Sequence, residues 1–377
     1  MGKKVHLGLI YGGKSGEHDV SLQTAFAVMG ELDYAKYEIT PFYITRLGEW
    51  RVGPVLGGKP SAIDELKLVP AVGAQVPAPP AIPLAPLLDR LAASSGASTG
   101  SGQPIDVVFP LLHGPFGEDG TIQGLLDIAD IPYVGAGVLA SAAGMDKITM
   151  KKIFAYEGLP QCVFRYFNRA QWEKDASFFI MECEVALGYP CFVKPSNLGS
   201  SVGISKAKNR EELIAAIDFA FRYDRRVIIE EFVDAREIEV SVLGNEDPKV
   251  SVPGEIAPSN EFYDYKAKYV DGKSTIHIPA NIPNKTAEAV RDMALRAFLA
   301  IDGAGLSRVD FFLRKNDGQL FINEVNTMPG FTPISMYPLM WKESGLPYRD
   351  LLDKLIELAL KRYADKQTID YGGSGGN

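Results

Sequence analysis

At 377 residues, 46% hydrophobic and 23% charged, the chain has the length of two or three domains and enough apolar material for full cores. A formal net charge of -8 argues against nucleic acid as the main partner, because phosphate backbones select basic surfaces. No apolar run approaches the roughly 20 residues needed to span a bilayer. The apolar start is too short for a signal peptide, and three cysteines without a C-x-x-C pair exclude a disulfide scaffold, so a cytoplasmic protein with no membrane partner is expected.

In chain order, residues 5–11 read as a buried strand and residues 12–16 as the Gly loop after it. A helix starting near Asp19 or Ser21, either of which could cap it, carries Leu22, Ala25, Phe26 and Met29 at helical spacing. Strand, Gly loop and helix open an α/β sheet that binds ligands at its strand ends. Residues 8–15 formally match the P-loop pattern G-x-x-x-x-G-K-S. In a P-loop, however, the first Gly closes the strand and the helix begins at Lys-Ser, whereas here Gly8 lies inside the apolar run and Gly16 follows Ser15, so the match is read as accidental. Glu17 in this loop could receive a substrate ammonium. A Glu at a helix N-terminus is equally favoured by the helix dipole, and both readings stay open.

A second strand follows over residues 37–45. Residues 46–104 then become rich in Gly, Pro, Ala and Ser, with a short helix expected over 84–93 and no chemistry. Residues 106–112 read as a buried strand running into HGPFGEDG, where three glycines in eight residues allow close backbone approach to a ligand. His113 there is open to a structural or a functional reading. A helix over 146–157 opens with Asp146-Lys147. The strand 191–195 ends in Lys194 and Pro195, followed by the Gly/Ser loop 196–203. A lysine at a strand end beside such a loop is placed to neutralise phosphates while loop amides grip them; an ordinary hairpin is the structural alternative. Residues 226–232 form a strand leading into Glu230 and Glu231, and residues 238–243 another. The aromatic and basic stretch 262–269 suggests a lid. Long helices are expected over 284–301 and 349–364, and a disordered tail at the Gly-rich end.

Near the C-terminus, Arg308-Val309-Asp310 heads the apolar run 311–313, and QLFINEVNTMPGFTPIS follows. Residues two apart on a strand share a face, so pairing these strands would bring Asp310, Glu324 and Asn326 together. Two carboxylates and an amide oxygen suit a Mg²⁺ ion that shares its shell with phosphate oxygens.

The motifs GGKSGEHDVSL, LLHGPFGEDG, MDK, FVKPSNLGSSVG, FYDYKAKY, SRVDFF and NEVNTMPGFTPIS occur in this order from residue 12 to about 340. Together they resemble the D-alanine–D-alanine ligase family of the ATP-grasp superfamily. The resemblance implies an α/β chain, α+β in its ATP-binding half, with three domains and ATP held between two antiparallel sheets. An N-terminal substrate domain would cover 1–135, with 46–104 as a variable insertion, a central domain 136–229, a C-terminal domain 230–366, and a disordered tail 367–377.

Residue by residue, the resemblance implies that Lys147 and Lys194 contact ATP phosphates, with Ser201 in the loop that closes over them. Glu230, Glu231 and Val233 would read the adenine, Glu237 the ribose, and Lys268 and Asn323 would complete the nucleotide site. Asp310, Glu324 and Asn326 would hold two Mg²⁺ ions, with Mn²⁺ as a substitute and a monovalent cation as a further candidate. Glu17 would take the ammonium of the first D-alanine, and Arg308 with the Gly330 amide would stabilise an oxyanion. His113, Tyr265, Lys268, Ser335 and Met336 would surround the substrates. A network of Glu17, Ser200 and Tyr269 is the candidate for handling the incoming amine's proton. The lid residues Ala267-Lys268-Tyr269 match the dipeptide-forming branch rather than the D-lactate one, and the family suggests a homodimer. A different ATP-grasp carboxylate–amine ligase would share Lys147, Lys194, Asp310, Glu324 and Asn326 but not Glu17 or the Tyr-rich lid.

Overall fold

The apolar run near the N-terminus forms β1 (Val5–Gly12), flanked in parallel by β2 (Tyr37–Ile44) and β4 (Val107–Pro110), with β3 (Trp50–Val52) antiparallel at the edge. The structure is a computed structural model that describes residues 3–68, 81, 104–257 and 275–370. A central strand of a parallel sheet is covered on both faces, which is why β1 reads as continuously apolar rather than alternating. Gly8 lies within it, and a Cβ there would meet the Phe42 ring at 3.1 Å and Ile105 at 3.3 Å. It is a packing glycine and not the start of a phosphate loop. The helix α1 (His18–Glu31) starts three residues after Ser15, so the P-loop geometry is not formed.

The expected caps of α1 are corrected. Its N-cap is Glu17, with no side-chain cap bond. Ser21 is buried instead; its Oγ accepts from the Gly12 N–H at 2.8 Å and donates to the Leu111 carbonyl at 2.5 Å, joining two strand ends. These tertiary partners outcompete a local cap.

After α2 (Thr121–Ile128), α3 (Val138–Met145) and α4 (Lys147–Tyr156), a second sheet forms with order β5-β8-β6-β7. Its strands are β5 (Phe164–Asn168), β6 (Cys191–Pro195), β7 (Ser205–Ala207) and β8 (Arg226–Glu231), all pairing antiparallel. Helices α5 (Arg169–Lys174), α6 (Ala176–Ala186) and α7 (Arg210–Ala220) accompany it, and Cys191, Val193, Val227 and Ile229 point into the core they share. Lys194 and Glu230, at the alternate positions of β6 and β8, therefore lie on the opposite face.

The third sheet is antiparallel, with order β12-β11-β9-β13-β14 and β10 paired to β9. It comprises β9 (Ala235–Gly244), β10 (Lys249–Val250), β11 (Gly254–Ala257), β12 (Thr275–His277), β13 (Gly305–Arg314) and β14 (Leu320–Asn326). Helix α8 (Asn284–Ala300) covers the face bearing Val309, Phe311 and Leu313. Arg308 and Asp310 lie inside β13 rather than at its head, since the strand begins at Gly305. After α9 (Met336–Glu343), helix α10 (Tyr348–Lys366) returns to the first sheet. Its Leu351, Leu352 and Leu355, wholly buried, join one core with Leu7, Leu9, Val107 and Phe109; each such leucine contributes ~2 kcal/mol of burial. Among the described residues no helix is long and apolar enough to cross a membrane.

Candidate active site

Glu17 and Ser200 meet across the cleft between the first sheet and the Gly/Ser loop. The Ser200 hydroxyl donates to Glu17 Oε1, and Glu17 is 9% exposed. The other carboxylate oxygen lies in a slot floored by two glycines: a Cβ on Gly114 would come 2.5 Å from Oε2, and one on Gly199 3.1 Å. The loop 196–203 joins the antiparallel strands β6 and β7, so the hairpin reading holds as topology. Ser200 and Ser201 are both left-handed, with φ of 50° and 59°. For non-glycine residues this conformation costs about 1–3 kcal/mol each and is tolerated where the surroundings hold it.

Three charged side chains converge beneath that loop. Glu230, 4% exposed, forms ion pairs with Lys151 Nζ at 2.6 Å through Oε1 and with Lys194 through Oε2. Burial by itself would raise the Glu230 pKa, but Lys151 and then Lys194 outweigh it and bring it down to about 2. Burial likewise works against the Lys194 ammonium, and Glu230 reverses the effect. Lys147 Nζ donates to the Leu198 carbonyl at 2.7 Å, tying α4 to the loop. Asp146 caps α4 through the Thr149 N–H and also takes the Ser196 hydroxyl and Arg226. At the end of β8 and just beyond it, Glu231 and Val233 line a pocket of about 480 Å³ with Phe232, Asp234, Arg314 and Lys315.

On the third sheet, register places Asp310 between Glu239 of β9 and Glu324 of β14, with Arg308 beside Asn326 and Phe312 beside Glu237. A bulge follows Asp310, and Asn323 falls there on β14. Arg308 chelates Asp310 with two bonds of 2.7 Å and reaches Glu239 at 3.0 Å, while Asn326 donates to Asp310 at 2.9 Å. Burial opposes the Arg308 charge, but Asp310 and Glu239 hold its pKa well above the usual value. Among the described residues no group of three or more His, Cys, Asp or Glu stands ready for a metal. Two carboxylates and an amide still fit a Mg²⁺ ion that completes its shell with phosphate and water.

The turn after β14 leads into α9. Ser335 N-caps α9 and its Oγ accepts from the Thr332 N–H at 3.1 Å; a Cβ on Gly330 would meet that Oγ at 3.2 Å. Met336 is buried with Ile256 and Met340. His113 is buried, its Nε2 3.0 Å from Thr24 Oγ1; burial lowers its pKa, against the opposing charge of Glu17 and a bond to the Met328 backbone. Glu118 accepts the Gly114 N–H at 2.6 Å and also bonds the Met328 backbone; burial, then Glu17, raises its pKa to about 8.

The expected site residues Tyr265, Lys268 and Tyr269 lie outside the described residues, as do the helix expected over 84–93 and residues 371–377. Sequence reasoning missed Lys151, Glu118 and Glu239. The available signal for Lys151 was its spacing four residues after Lys147, which puts both on one helix face.

A family model described as D-ala D-ala ligase N-terminus matches residues 6–136, and one described as D-ala D-ala ligase C-terminus matches residues 153–357. A D-alanine–D-alanine ligase from Bacillus velezensis is 54% identical, covering 96% of this chain and 99% of that one. One from Bacillus cytotoxicus is 53% identical over 98% and 99% of the two chains. Among solved structures, the VanG D-Ala:D-Ser ligase from Enterococcus faecalis superposes with a TM-score of 0.80 at 36% identity, covering 95% of this chain and 100% of the other. The D-alanine–D-alanine ligase from Coxiella burnetii gives 0.77 at 32% identity, covering 97% of each. The two antiparallel sheets and their neighbours define an ATP-grasp fold. Within that class, the chain belongs to the D-alanine–D-alanine ligase family.

Proposed function

We propose that the chain joins two D-alanine molecules into D-alanyl-D-alanine at the expense of ATP, for peptidoglycan precursor synthesis. The observation that carries this reading is the Glu17 carboxylate, held by Ser200 in a slot floored by Gly114 and Gly199, as the receptor for the first substrate's ammonium. A carboxylate is a poor electrophile, so the first D-alanine is phosphorylated by ATP. The amine of the second then attacks the acyl phosphate, forming the amide bond as phosphate leaves.

Both steps gather negative charge, and the residue types answer it. Lys147 and Lys194 bind the phosphates, with the Ser201 end of the loop above them, while Arg308 and the Gly330 amide steady the oxyanion. Glu230, Glu231, Val233, Glu237 and Asn323 take the nucleoside, and Ser335 the second substrate's carboxylate. Asp310, Glu324 and Asn326 would hold Mg²⁺, which supplies Lewis-acid stabilisation of the transferring phosphoryl group. Tyr265, Lys268 and Tyr269 are assigned to a lid that keeps the acyl phosphate from water. The same reading places the protein in the cytoplasm as a homodimer, with domains over 1–135, 136–229 and 230–366.

The test is phosphate release from Mg-ATP with D-alanine, run beside L-alanine, D-alanine plus D-lactate, and D-alanine plus D-serine, with products identified by mass. D-alanine-dependent release with the matching dipeptide, and none with L-alanine, is expected. ATP binding without D-alanine-dependent release overturns the substrate assignment. Preferential formation of the mixed D-serine product would move the chain toward the activity in the Enterococcus protein's name.

A further inference from the structure

Glu230 faces two lysines, and only one of them is free to leave. Lys194 stands near the end of β6, against the loop 196–203, with its side chain 13% exposed. Lys151 is 2% exposed at its side chain, on the buried face of α4. Its carbonyl accepts from Gln161 Nε2 at 2.7 Å, and its ammonium lies 5.8 Å from the centre of the Phe164 ring, whose residue is the strand partner of Glu230. Lys194 also lies in the field of the Glu324 carboxylate, so of the two lysines it is the one with another charged neighbour to turn toward.

On the reading proposed above, Lys194 turns to the nucleotide's phosphates and must release Glu230 as it does so. We infer that Lys151 is a positioning residue: it stays with Glu230 when Lys194 transfers to the nucleotide, so that the carboxylate facing the base keeps a counter-ion. Each anion then has one lysine, Glu230 with Lys151 and the phosphates with Lys194. Lys151 touches no substrate in this scheme. It acts through Glu230, because without it every binding event would strand a buried carboxylate.

The test compares wild type, Lys151→Met, Glu230→Gln, and the two substitutions combined. Direct ADP and ATP binding, the KM values for ATP and D-alanine, and the nucleotide-free thermal midpoint are measured for each. Lys151→Met is expected to fold, since Lys194 still pairs with Glu230 in the empty site. Its nucleotide Kd and ATP KM should rise at least about tenfold, the scale of an uncompensated buried charge, with the D-alanine KM within about twofold of wild type. Glu230→Gln itself touches the nucleoside contact, so the comparison is between backgrounds: Lys151→Met should raise the nucleotide Kd at least about tenfold beside Glu230 and by no more than about threefold beside Glu230→Gln, where no charge is stranded. A lowered midpoint with unchanged nucleotide Kd in Lys151→Met, or an equal loss in both backgrounds, overturns the inference. Should Lys151→Met fail to fold, Glu230→Gln and the double variant decide: equal nucleotide affinity supports the inference, and a further loss of about tenfold in the double variant overturns it. Wild type that binds no nucleotide would remove the proposed function and this inference together.

Discussion

The Ser200 hydroxyl donates to the Glu17 carboxylate across 183 residues of sequence, tying the loop 196–203 to the start of α1. A loop whose backbone is left-handed at both Ser200 and Ser201 thus ends on a charged acceptor. On the proposed function, this bond couples the nucleotide side of the site to the amino-acid side.

Glu17→Gln should weaken first-substrate capture, because an amide cannot pair with an ammonium as a carboxylate does. A loss of about 10- to 100-fold in kcat/KM for D-alanine is expected from one charged contact. Ser200→Ala should lower kcat/KM for D-alanine and for ATP together, since the loop serves both. Steady-state kinetics with each substrate varied separately would show this, and a Ser200→Ala effect confined to ATP would refute the coupling.

Lys194→Ala should lower nucleotide affinity by at least about tenfold, since the phosphates lose a buried counter-charge. Lys14→Ala should stay within about threefold. Lys14 lies 5.4 Å from the centre of the Phe116 ring, an exposed contact of modest value. Calorimetric titration with ADP distinguishes the two, and the reverse order would revive a phosphate-loop role for residues 8–15.

Glu118 gives the protein a pH signature. Its carboxyl, raised to about 8 chiefly by burial and next by Glu17, keeps a proton that the unfolded chain gives up near 4.5. Between those values the native state binds more protons than the unfolded state. The contribution is therefore fully present below the unfolded pKa and is lost as pH rises through about 8. Denaturant unfolding across pH 6–9 should show stability falling toward alkaline pH, less steeply in Glu118→Gln. Identical slopes in the two proteins would contradict the shift.

Arg308 and Glu239 form a buried pair, and Arg308 also holds both oxygens of Asp310. Glu239→Ala should destabilise the fold by ~3 kcal/mol, because it removes one partner of a buried arginine. Asp310→Asn should instead raise the Mg²⁺ concentration needed for half-maximal nucleotide binding. Urea unfolding and a Mg²⁺ titration read these separately, and an unchanged midpoint in Glu239→Ala would rule out the first.

The elements that sequence made legible are those decided by local pattern. The apolar run of β1, the helix opening at Asp146-Lys147, and the two-residue spacing of Glu324 and Asn326 all appear where local pattern placed them. What stayed hidden depended on distant partners. Ser21 looks like a cap until Gly12 and Leu111 are brought to it. Lys151 looks like a solvated helix lysine until Glu230 arrives on β8. Glu239 sits on a strand whose alternation is plain, yet its acid is acceptable inside only because Arg308 lies in the register beside it. Glu118 needs three segments at once, since Gly114, Glu17 and Met328 all bear on it.

The return of α10 to the first sheet bears on how the chain is made. Leu351, Leu352 and Leu355 complete the core begun by Leu7 and Leu9, and Asp353 takes both Lys36 and the Tyr37 hydroxyl. During synthesis, β1 and β4 therefore keep part of their apolar surface uncovered until residues 348–366 have left the ribosome. A nascent chain stalled before residue 348 carries an incomplete first core, and apolar surface left open in this way is what a chaperone shields.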